Sequence, residues 1–164
     1  MLNAQPILAA LNKRRVEFVV VGGLAMITHG SAHVTDDLDV CYLRTPENIG
    51  RLAAAVSQLQ PCLRGAPPGL PFKFDAPTIT AGLNFTLTTD FGPLDLLGEI
   101  PGVGVFAEAC AQSQVHEIYG LPVRVLSLDS LIAAKRAAGR TKDRIHLLEL
   151  IELKKLRDAE GGEG

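Results

Sequence analysis

The sequence predicts an α+β protein in which a mixed β-sheet is flanked by helices. Residues 16–21 (VEFVVV) are short, apolar and β-branched, as in a buried strand, and residues 83–89 (LNFTLTT) alternate between apolar and polar side chains. The stretches that begin at Ser127 and Thr141 instead combine an N-cap residue with a helical pattern. Strands and helices therefore share one chain of 164 residues, which is long enough to bury a single core.

One domain accounts for nearly the whole chain. The Pro- and Gly-rich stretch at residues 61–70 separates segments that belong to one pattern, so it marks no domain boundary. The last residues, DAEGGEG, are polar and rich in glycine, which is typical of disorder. We therefore assign residues 1–157 to the folded domain and residues 158–164 to a disordered tail.

The first third of the chain predicts two strands and three helices. Gly22-Gly23 ends the first strand, and Gly30 closes the short helix that follows. The third helix has Thr45 as its N-cap and Pro46 at its first position. In order, these elements are a helix at residues 5–14, a strand at 16–21, a helix at 24–29, a strand at 38–43 and a helix at 46–60.

The rest of the chain predicts a surface loop, further strands and two C-terminal helices. Tyr119-Gly120 forms the turn of a hairpin, Ser127 caps a helix that Gly139 ends, and Thr141 caps the last helix. These elements are a loop at residues 61–70, strands at 72–80, 83–89, 94–100, 115–118 and 123–126, and helices at 128–138 and 141–157.

Composition argues against several classes of protein. The formal net charge is −2, so no strong overall field attracts nucleic acid or a membrane surface. No apolar run approaches the ~20 residues of a membrane span, and the first residues lack the order of a signal peptide. The three cysteines are far apart in the sequence, which argues against a disulfide framework or a zinc site. We expect a cytoplasmic protein with no membrane partner.

Two carboxylates in the TDDLD stretch predict a metal site. Residues two apart in a strand point the same way, so Asp37 and Asp39 share one face while Leu38 and Val40 face the core. Two such acids repel each other, and a cation between them relieves that repulsion. Oxygen ligands favour Mg²⁺ over softer metals. The alternative is a solvated strand end with unpaired acids.

The two glycines predict a phosphate site beside those acids. A strand, Gly22-Gly23 and a helix place free backbone N–H groups and the positive end of a helix dipole next to the following strand. Glycine also lets a phosphate approach the main chain without a side chain in the way. The alternative is a tight turn with no ligand.

A third acid lies in the PLDLL stretch. Leu94 and Leu96 take the opposite face from Asp95, and an acid in an apolar strand is costly unless it is paired, metal-bound or exposed at an edge. If this strand extends the same sheet, Asp95 can join the first two acids and complete a site for two metal ions. Asp90 and Glu99 are weaker candidates because they lie at strand ends.

A late Lys-Asp segment supplies a candidate cation. Lys135 shares one stripe of the helix at 128–138 with three Leu or Ile residues. It is either a lysine at the edge of the core or a cation that reaches a triphosphate. Asp143, in the first turn of the last helix, already suits the helix dipole. His33 and His116 have no partners at metal-ligand or catalytic spacing, so we predict surface histidines.

Together these residues resemble the DNA polymerase beta-type nucleotidyltransferase superfamily. Its core pattern is an apolar residue, Gly, Gly or Ser, a gap and Asp-x-Asp, which Gly22, Gly23, Asp37 and Asp39 match. The stretch GGLAMITHGSAHVTDDLD is similar to small prokaryotic members, including abortive-infection type toxins. Those members also share Thr-x-Asp-x-Asp and a late Lys followed by Gly-Arg-x-Lys-Asp, matched here by Thr35, Lys135, Gly139, Arg140, Lys142 and Asp143. An Asp often follows three residues later in the family, where this chain has His146.

The resemblance spans roughly residues 16–150 and implies a nucleotidyltransferase fold with Mg²⁺ or Mn²⁺ as cofactor. It implies metal-binding and catalytic roles for Asp37, Asp39 and Asp95. It implies nucleotide-binding roles for Gly22, Gly23, Thr35, Lys135 and Asp143.

These features predict an enzyme that moves a nucleoside monophosphate (NMP) from a nucleoside triphosphate (NTP) to an acceptor hydroxyl, with release of pyrophosphate. The acceptor stays open between tRNA, a protein and a small molecule. The alternative is a non-catalytic nucleotide-binding or partner-binding module of a toxin–antitoxin pair. A cognate antitoxin is then an expected partner.

Overall fold

The structure, a computed structural model, describes residues 1–67 and 69–161. Its helices are α1 (Ala4–Lys13), α2 (Gly22–Thr28), α3 (Pro46–Ser57), α4 (Ala76–Ala81), α5 (Phe106–Ala111), α6 (Leu128–Ala138) and α7 (Thr141–Gly161). Its strands are β1 (Phe18–Val21), β2 (Leu38–Tyr42), β3 (Cys62–Leu63), β4 (Phe85–Thr89), β5 (Gly92–Leu97), β6 (Glu99–Ile100), β7 (Gly104–Val105), β8 (Ser113–Ile118) and β9 (Leu121–Leu126).

Seven strands form one mixed sheet in the order β3-β4-β5-β2-β1-β9-β8, and β6 pairs with β7 separately. β1 and β2 run antiparallel, whereas β2 and β5 run parallel in the register Leu38↔Leu94 and Asp39↔Asp95. β8 and β9 form the predicted hairpin around Tyr119-Gly120. This mixed sheet with flanking helices confirms the predicted fold class.

The core is mainly aliphatic, with Phe18, Tyr42 and Phe74 as its buried aromatic residues. All four residues of β1 are buried, and Leu38 and Val40 of β2 are fully buried. Leu94 and Leu96 occupy the same layer on β5. The alternation along β2 and β5 therefore sends leucine and valine to one face and leaves the acids on the other.

Local capping signals place two of the helices where the sequence predicts them. Thr45 Oγ1 accepts a hydrogen bond from Asn48 N at the start of α3, with Pro46 at its first position. Ser127 Oγ caps α6 in the same way, and Gly139 ends α6 in a left-handed conformation. These short-range signals depend only on neighbouring residues, which explains why they are readable from sequence.

The predicted strand at residues 72–80 is wrong. Residues 76–81 form α4, and Asp75 caps it by accepting a hydrogen bond from Thr78 N at 3.0 Å. The N-cap acid and the following proline outweigh the β-branched character of the segment. In the predicted loop at 61–70, Cys62 and Leu63 add the edge strand β3 to the sheet, and Pro68 lies outside the described residues.

The C-terminal helix continues beyond the predicted end at residue 157. α7 includes Asp158 to Gly161, and residues 162–164 lie outside the described part of the chain. Ala159 and Glu160 are good helix formers, which accounts for the extra turn. None of the helices in the described ranges combines the length and apolar character needed to cross a bilayer.

Candidate active site

Three carboxylates converge on the face of the sheet opposite the buried Leu38 and Val40. Asp39 lies in β2, Asp37 immediately precedes that strand, and Asp95 lies opposite Asp39 on the parallel neighbour β5. Each offers one oxygen, and these three atoms all lie within 4.8 Å of one another. The structure therefore brings together the three acids that the sequence singled out.

The electrostatics of this cluster suit a bound cation. Burial raises the pKa of Asp39 to about 8, and the charges of Asp37 and Asp95 add to that effect while Lys135 opposes it. An all-oxygen donor set of this kind suits a hard divalent cation such as Mg²⁺ or Mn²⁺. The side chains present thus fit the metal that the resemblance implies.

Gly22 and Gly23 are the first two residues of α2, rather than a break before it. Gly22 has a φ of +67°, and a Cβ built there would lie 2.0 Å from Oδ2 of Asp39. A Cβ at Gly23 would lie 2.5 Å from Oγ1 of Thr35. Both positions therefore need glycine because the main chain passes directly against site side chains.

Thr35 organises the loop that carries the first acid. Its Oγ1 donates a hydrogen bond to the main-chain oxygen of Asp37 at 2.8 Å and lies 3.5 Å from that residue's Oδ1. Thr35 also packs against Gly23, as the short distance to a built Cβ shows. Its hydroxyl proton is thus already directed at the Asp37 main chain, while the side chain itself lines the cavity described below.

Asp143 is a buried hub for two cations. Its side chain is 0% exposed, Lys135 Nζ lies 3.2 Å from its Oδ1, and Arg140 Nε lies 2.6 Å from its Oδ2. Burial by itself would raise the pKa of Asp143, but the hydrogen bonds from Arg140 and Lys135 outweigh it and lower the pKa to about 2. Asp143 therefore holds the two cations in place.

A cavity of about 150 Å³ joins the acids to these cations. Asp37, Asp39 and Asp95 lie in its lining together with Lys135, Arg140, Lys142, His33 and His146. A second cavity of about 150 Å³ shares Asp39, Lys135 and Arg140 and is otherwise bordered mainly by aliphatic side chains, among them Leu97, Ile100 and Leu131. One polar and one apolar cavity thus meet at Asp39.

Comparisons with known proteins give structural neighbours only. No protein-family model matches the chain, and no curated protein matches it in sequence. ANT(2'')-Ia in complex with adenylyl-2''-tobramycin is 20% identical over 97% of this chain and 95% of its own, with a TM-score of 0.57. The lincosamide antibiotic adenylyltransferase LnuA, with lincomycin bound, is 12% identical over 93% and 98%, with a TM-score of 0.59.

A third neighbour, from Thermotoga maritima and provisionally assigned as a nucleotidyltransferase, is 17% identical over 90% of this chain and 89% of its own, with a TM-score of 0.57. The chain has the nucleotidyltransferase fold. At these identities the likeness concerns the fold, and the chemistry must be argued from the residues themselves.

Within this nucleotidyltransferase fold, the two weaker acid candidates lie away from the cavity. Asp90 follows β4 and Glu99 begins β6, and both are exposed. Neither lines the cavity that holds Asp95. The register of β2 against β5, which no local pattern specifies, distinguishes Asp95 from them.

Two histidines and an arginine that the sequence does not predict as site residues join the site. His33, predicted as a surface residue, is half-buried and packs edge-on against His146, with ring centroids 4.6 Å apart. Burial and the nearby Lys135 lower the pKa of His146, so its imidazole is neutral at pH 7. Arg64, from the predicted surface loop, places Nη2 2.7 Å from Oδ1 of Asp95. His33 lies close to Asp37 in the sequence, whereas only the folding of distant segments brings His146 and Arg64 to the site.

Proposed function

We propose that this chain is a metal-dependent nucleotidyltransferase that moves an NMP from an NTP to an acceptor hydroxyl and releases pyrophosphate. The observation that carries the proposal is the convergence of Asp37, Asp39 and Asp95 beside Gly22-Gly23, with their ligand oxygens within 4.8 Å of one another. The nucleotidyltransferase fold of the chain supports it.

The three acids line the polar cavity and would have different roles. Asp37 and Asp39 would hold Mg²⁺ or Mn²⁺, and Asp95 would complete the metal site and accept the proton of the acceptor hydroxyl. Bound metal would offset phosphate charge and polarise the α-phosphoryl group. The acceptor oxygen forms a bond to the α-phosphorus, the bond from that phosphorus to the bridging oxygen breaks, and pyrophosphate leaves.

Lys135 and Arg140, which line the same cavity, would bind the phosphates. Lys135 and Arg140 reach this cavity from a shared anchor on Asp143, which limits their freedom to move. Fixed cations stabilise charge that develops on a leaving pyrophosphate better than mobile ones, because they need not reorganise. Backbone N–H groups at Gly22 and Gly23 would add neutral donors beside the same phosphates.

The adjoining apolar cavity offers a place for an uncharged part of a substrate. It opens beside Asp39, Lys135 and Arg140, so a ligand can occupy both cavities at once. The two antibiotic adenylyltransferase neighbours act on small molecules, as tobramycin and lincomycin in their structures indicate. We therefore place small hydroxylated molecules beside tRNA and proteins among the acceptors to be tested.

Within this proposal, we further propose that the chain is an abortive-infection type nucleotidyltransferase with a cognate antitoxin as its partner. This assignment and this partner rest on the sequence match at Thr35, Lys135 and Asp143, all of which line a cavity of the site. A cytoplasmic location is consistent with an NTP substrate and with the free state of Cys41, Cys62 and Cys110.

The decisive experiment offers each α-labelled NTP with Mg²⁺ to the protein and a fractionated total cell extract. Transfer of label to one fraction, abolished by EDTA and by Asp37→Asn, is the expected result. Asp36→Asn is the matched control, since Asp36 is exposed and lies outside the cavity. Metal-dependent NTP binding with no labelled fraction would instead support the non-catalytic nucleotide-binding module.

A further inference from the structure

Arg64 is held against Asp95 by contacts to two adjacent strands of the sheet, β4 and β5. Its main-chain N donates to the oxygen of Thr86 at 3.0 Å, and Thr86 lies directly opposite Asp95 in the β4–β5 register. Arg64, Thr86 and Asp95 therefore form one row across the sheet, next to Asp39.

The guanidinium spans from β4 to the third acid. Nη2 donates to the main-chain oxygen of Leu87 at 2.7 Å and to Oδ1 of Asp95 at 2.7 Å. The side chains of Arg64 and Asp95 are 31% and 21% exposed, so the pair is partly shielded from water. Among the described residues, no partner contacts the buried Nε of Arg64. Both hydrogen bonds thus come from Nη2 of Arg64, whose position is fixed by the main-chain oxygen of Leu87 in β4.

This contact addresses a specific physical problem of the site. Asp95 faces the like charges of Asp37 and Asp39, and that repulsion favours rotation of its carboxylate away from them. A cation fixed on its other side opposes such rotation and keeps one oxygen engaged. The second oxygen, Oδ2, then keeps one defined direction, as a metal ligand or a general base requires.

We propose that Arg64 is the positioning residue of the third carboxylate, orienting Asp95 for the acceptor hydroxyl during nucleotidyl transfer. The proposal rests on the proposed function, because it deepens the role given there to Asp95. Arg64 itself contacts neither metal nor nucleotide in this scheme, so its effect should pass entirely through Asp95.

The test uses Arg64→Gln, Arg64→Lys, Asp95→Asn and the double variant Arg64→Gln/Asp95→Asn, with the NTP and acceptor fraction found for the wild type. Misplacing a reacting group by about 1 Å can reduce rate by ~100-fold, so we expect Arg64→Gln to lower kcat by about 10- to 100-fold. NTP affinity and KM for NTP should stay within about 3-fold, since the phosphate and metal groups remain. Arg64→Lys, which keeps the charge, should recover part of the lost rate.

Comparing Arg64→Gln in the wild type and in the Asp95→Asn background distinguishes a positioning role of Arg64 from a general loss of structure. In the Asp95→Asn background, Arg64→Gln should change transfer by less than about 3-fold, because the group it orients is already disabled. Arg51→Gln, at an exposed position on α3, is the control for charge and should behave like the wild type. Thermal melts of every variant identify the temperature range in which each one is folded, and rates are measured below it.

Three results with the variants would overturn the proposal. One is a full loss of rate from Arg64→Gln in the Asp95→Asn background, and another is a raised KM for NTP with kcat unchanged, which would place Arg64 on the nucleotide. The third is an Arg64→Gln protein with wild-type kcat, and this result would leave the proposed function intact. A wild type that transfers no label to any fraction would overturn the proposed function and this role of Arg64 together.

Discussion

Glycine is required at position 22 by both space and backbone conformation, and at position 23 by space. Because Val21 lies opposite Asp39 in the β1–β2 register, the chain turns into α2 directly against the Asp39 carboxylate. A built Cβ at Gly22 would approach Oδ2 of Asp39 to 2.0 Å, far inside van der Waals contact. The absence of a side chain at Gly22 therefore leaves room for the Asp39 carboxylate, the proposed metal ligand.

Gly22→Ala should destabilise the protein by about 2 kcal/mol or more, because it strains a positive φ and displaces Asp39. Divalent metal binding, followed with Mn²⁺ alone, should weaken in the same variant. Gly50→Ala is the matched control, since no atom lies within 4 Å of a built Cβ there and the residue lies in α3. That control should stabilise by up to about 1 kcal/mol in urea unfolding. Equal effects of both substitutions would refute the steric account.

Asp39 makes stability depend on pH in metal-free buffer. Burial raises its folded-state pKa to about 8, whereas the unfolded chain releases this proton near pH 4. The folded form therefore binds more protons between these values, and stability in EDTA should fall as pH rises from about 4 to about 8. Asp39→Asn should flatten this slope, as measured by urea unfolding at a series of pH values. Asp36→Asn, at an exposed position, should keep the wild-type slope, and an identical slope in Asp39→Asn would contradict the assignment.

At the scale of elements, α6, α7 and the connection between them together place Lys135 and Arg140 at the site. Lys135 leaves α6, Arg140 lies in the connection, and both bind Asp143 in the first turn of α7. From sequence, Lys135 is either a core-edge lysine or a phosphate ligand, and Asp143 simply suits the helix dipole. The fold shows a third arrangement, in which a buried acid fixes the position of the lysine.

Lys135→Met should therefore affect stability as well as nucleotide binding. A methionine suits the apolar stripe, but the substitution removes one of the two cations that satisfy a buried carboxylate, which costs about 1–3 kcal/mol. NTP affinity should fall in the same variant. Lys142→Met, exposed in the same segment, should leave the free energy of unfolding unchanged. A Lys135→Met protein with wild-type stability would show that Arg140 alone satisfies Asp143.

β5 carries Asp95, the proposed proton acceptor. Asp95→Asn keeps size and polarity but removes the proton acceptor, so NTP binding should survive through Asp37, Asp39 and the glycines. Transfer should fall by ~100-fold or more, the usual scale for a positioned acid–base group. Binding and transfer are measured on the same preparation. Transfer near the wild-type rate would exclude Asp95 as the base, and Glu99→Gln is the comparison at an exposed acid outside the cavity.

At the scale of the whole molecule, the sheet order decides which residues meet. β2 lies at the centre of the seven strands with β1 on one side and β5 on the other, so residues of three strands meet at Asp39. The sheet and the helices packed on it place Gly23, the three acids and the cations around one cavity. Ligand binding in this cavity should stabilise the entire fold, because the elements that line the cavity include the central strands.

Mg²⁺ and NTP together should raise the melting temperature, and EDTA should abolish the shift. Binding to the folded form alone stabilises by about 2.7 kcal/mol when free ligand is 100 times its dissociation constant. Asp37→Asn/Asp39→Asn should melt at the same temperature with and without the ligands. A wild-type melting temperature that is insensitive to millimolar Mg²⁺ and NTP would contradict nucleotide binding at this site.

The sequence alone determined the features that depend on near neighbours. Caps at Thr45 and Ser127, the strand at β1 and the pairing of Gly22-Gly23 with Asp37 and Asp39 are all short-range patterns, and each appears in the fold. The sequence predicts Asp95 as a partner only if its strand joins the same sheet, and β5 pairs with β2 in the structure. Its role as base and the nucleotide-binding roles stay predictions.

Tertiary structure alone decided the contacts between distant segments. The parallel register Asp39↔Asp95, the ion pair of Arg64 with Asp95 and the burial of Asp143 between Lys135 and Arg140 depend on strand order and helix packing. A charged residue in a loop has the same local pattern whether it faces water or an active site, so nothing near Arg64 in the sequence marks its partner. Capping and strand alternation are set by nearby atoms, whereas the pairing of strands is set by the burial of the whole core.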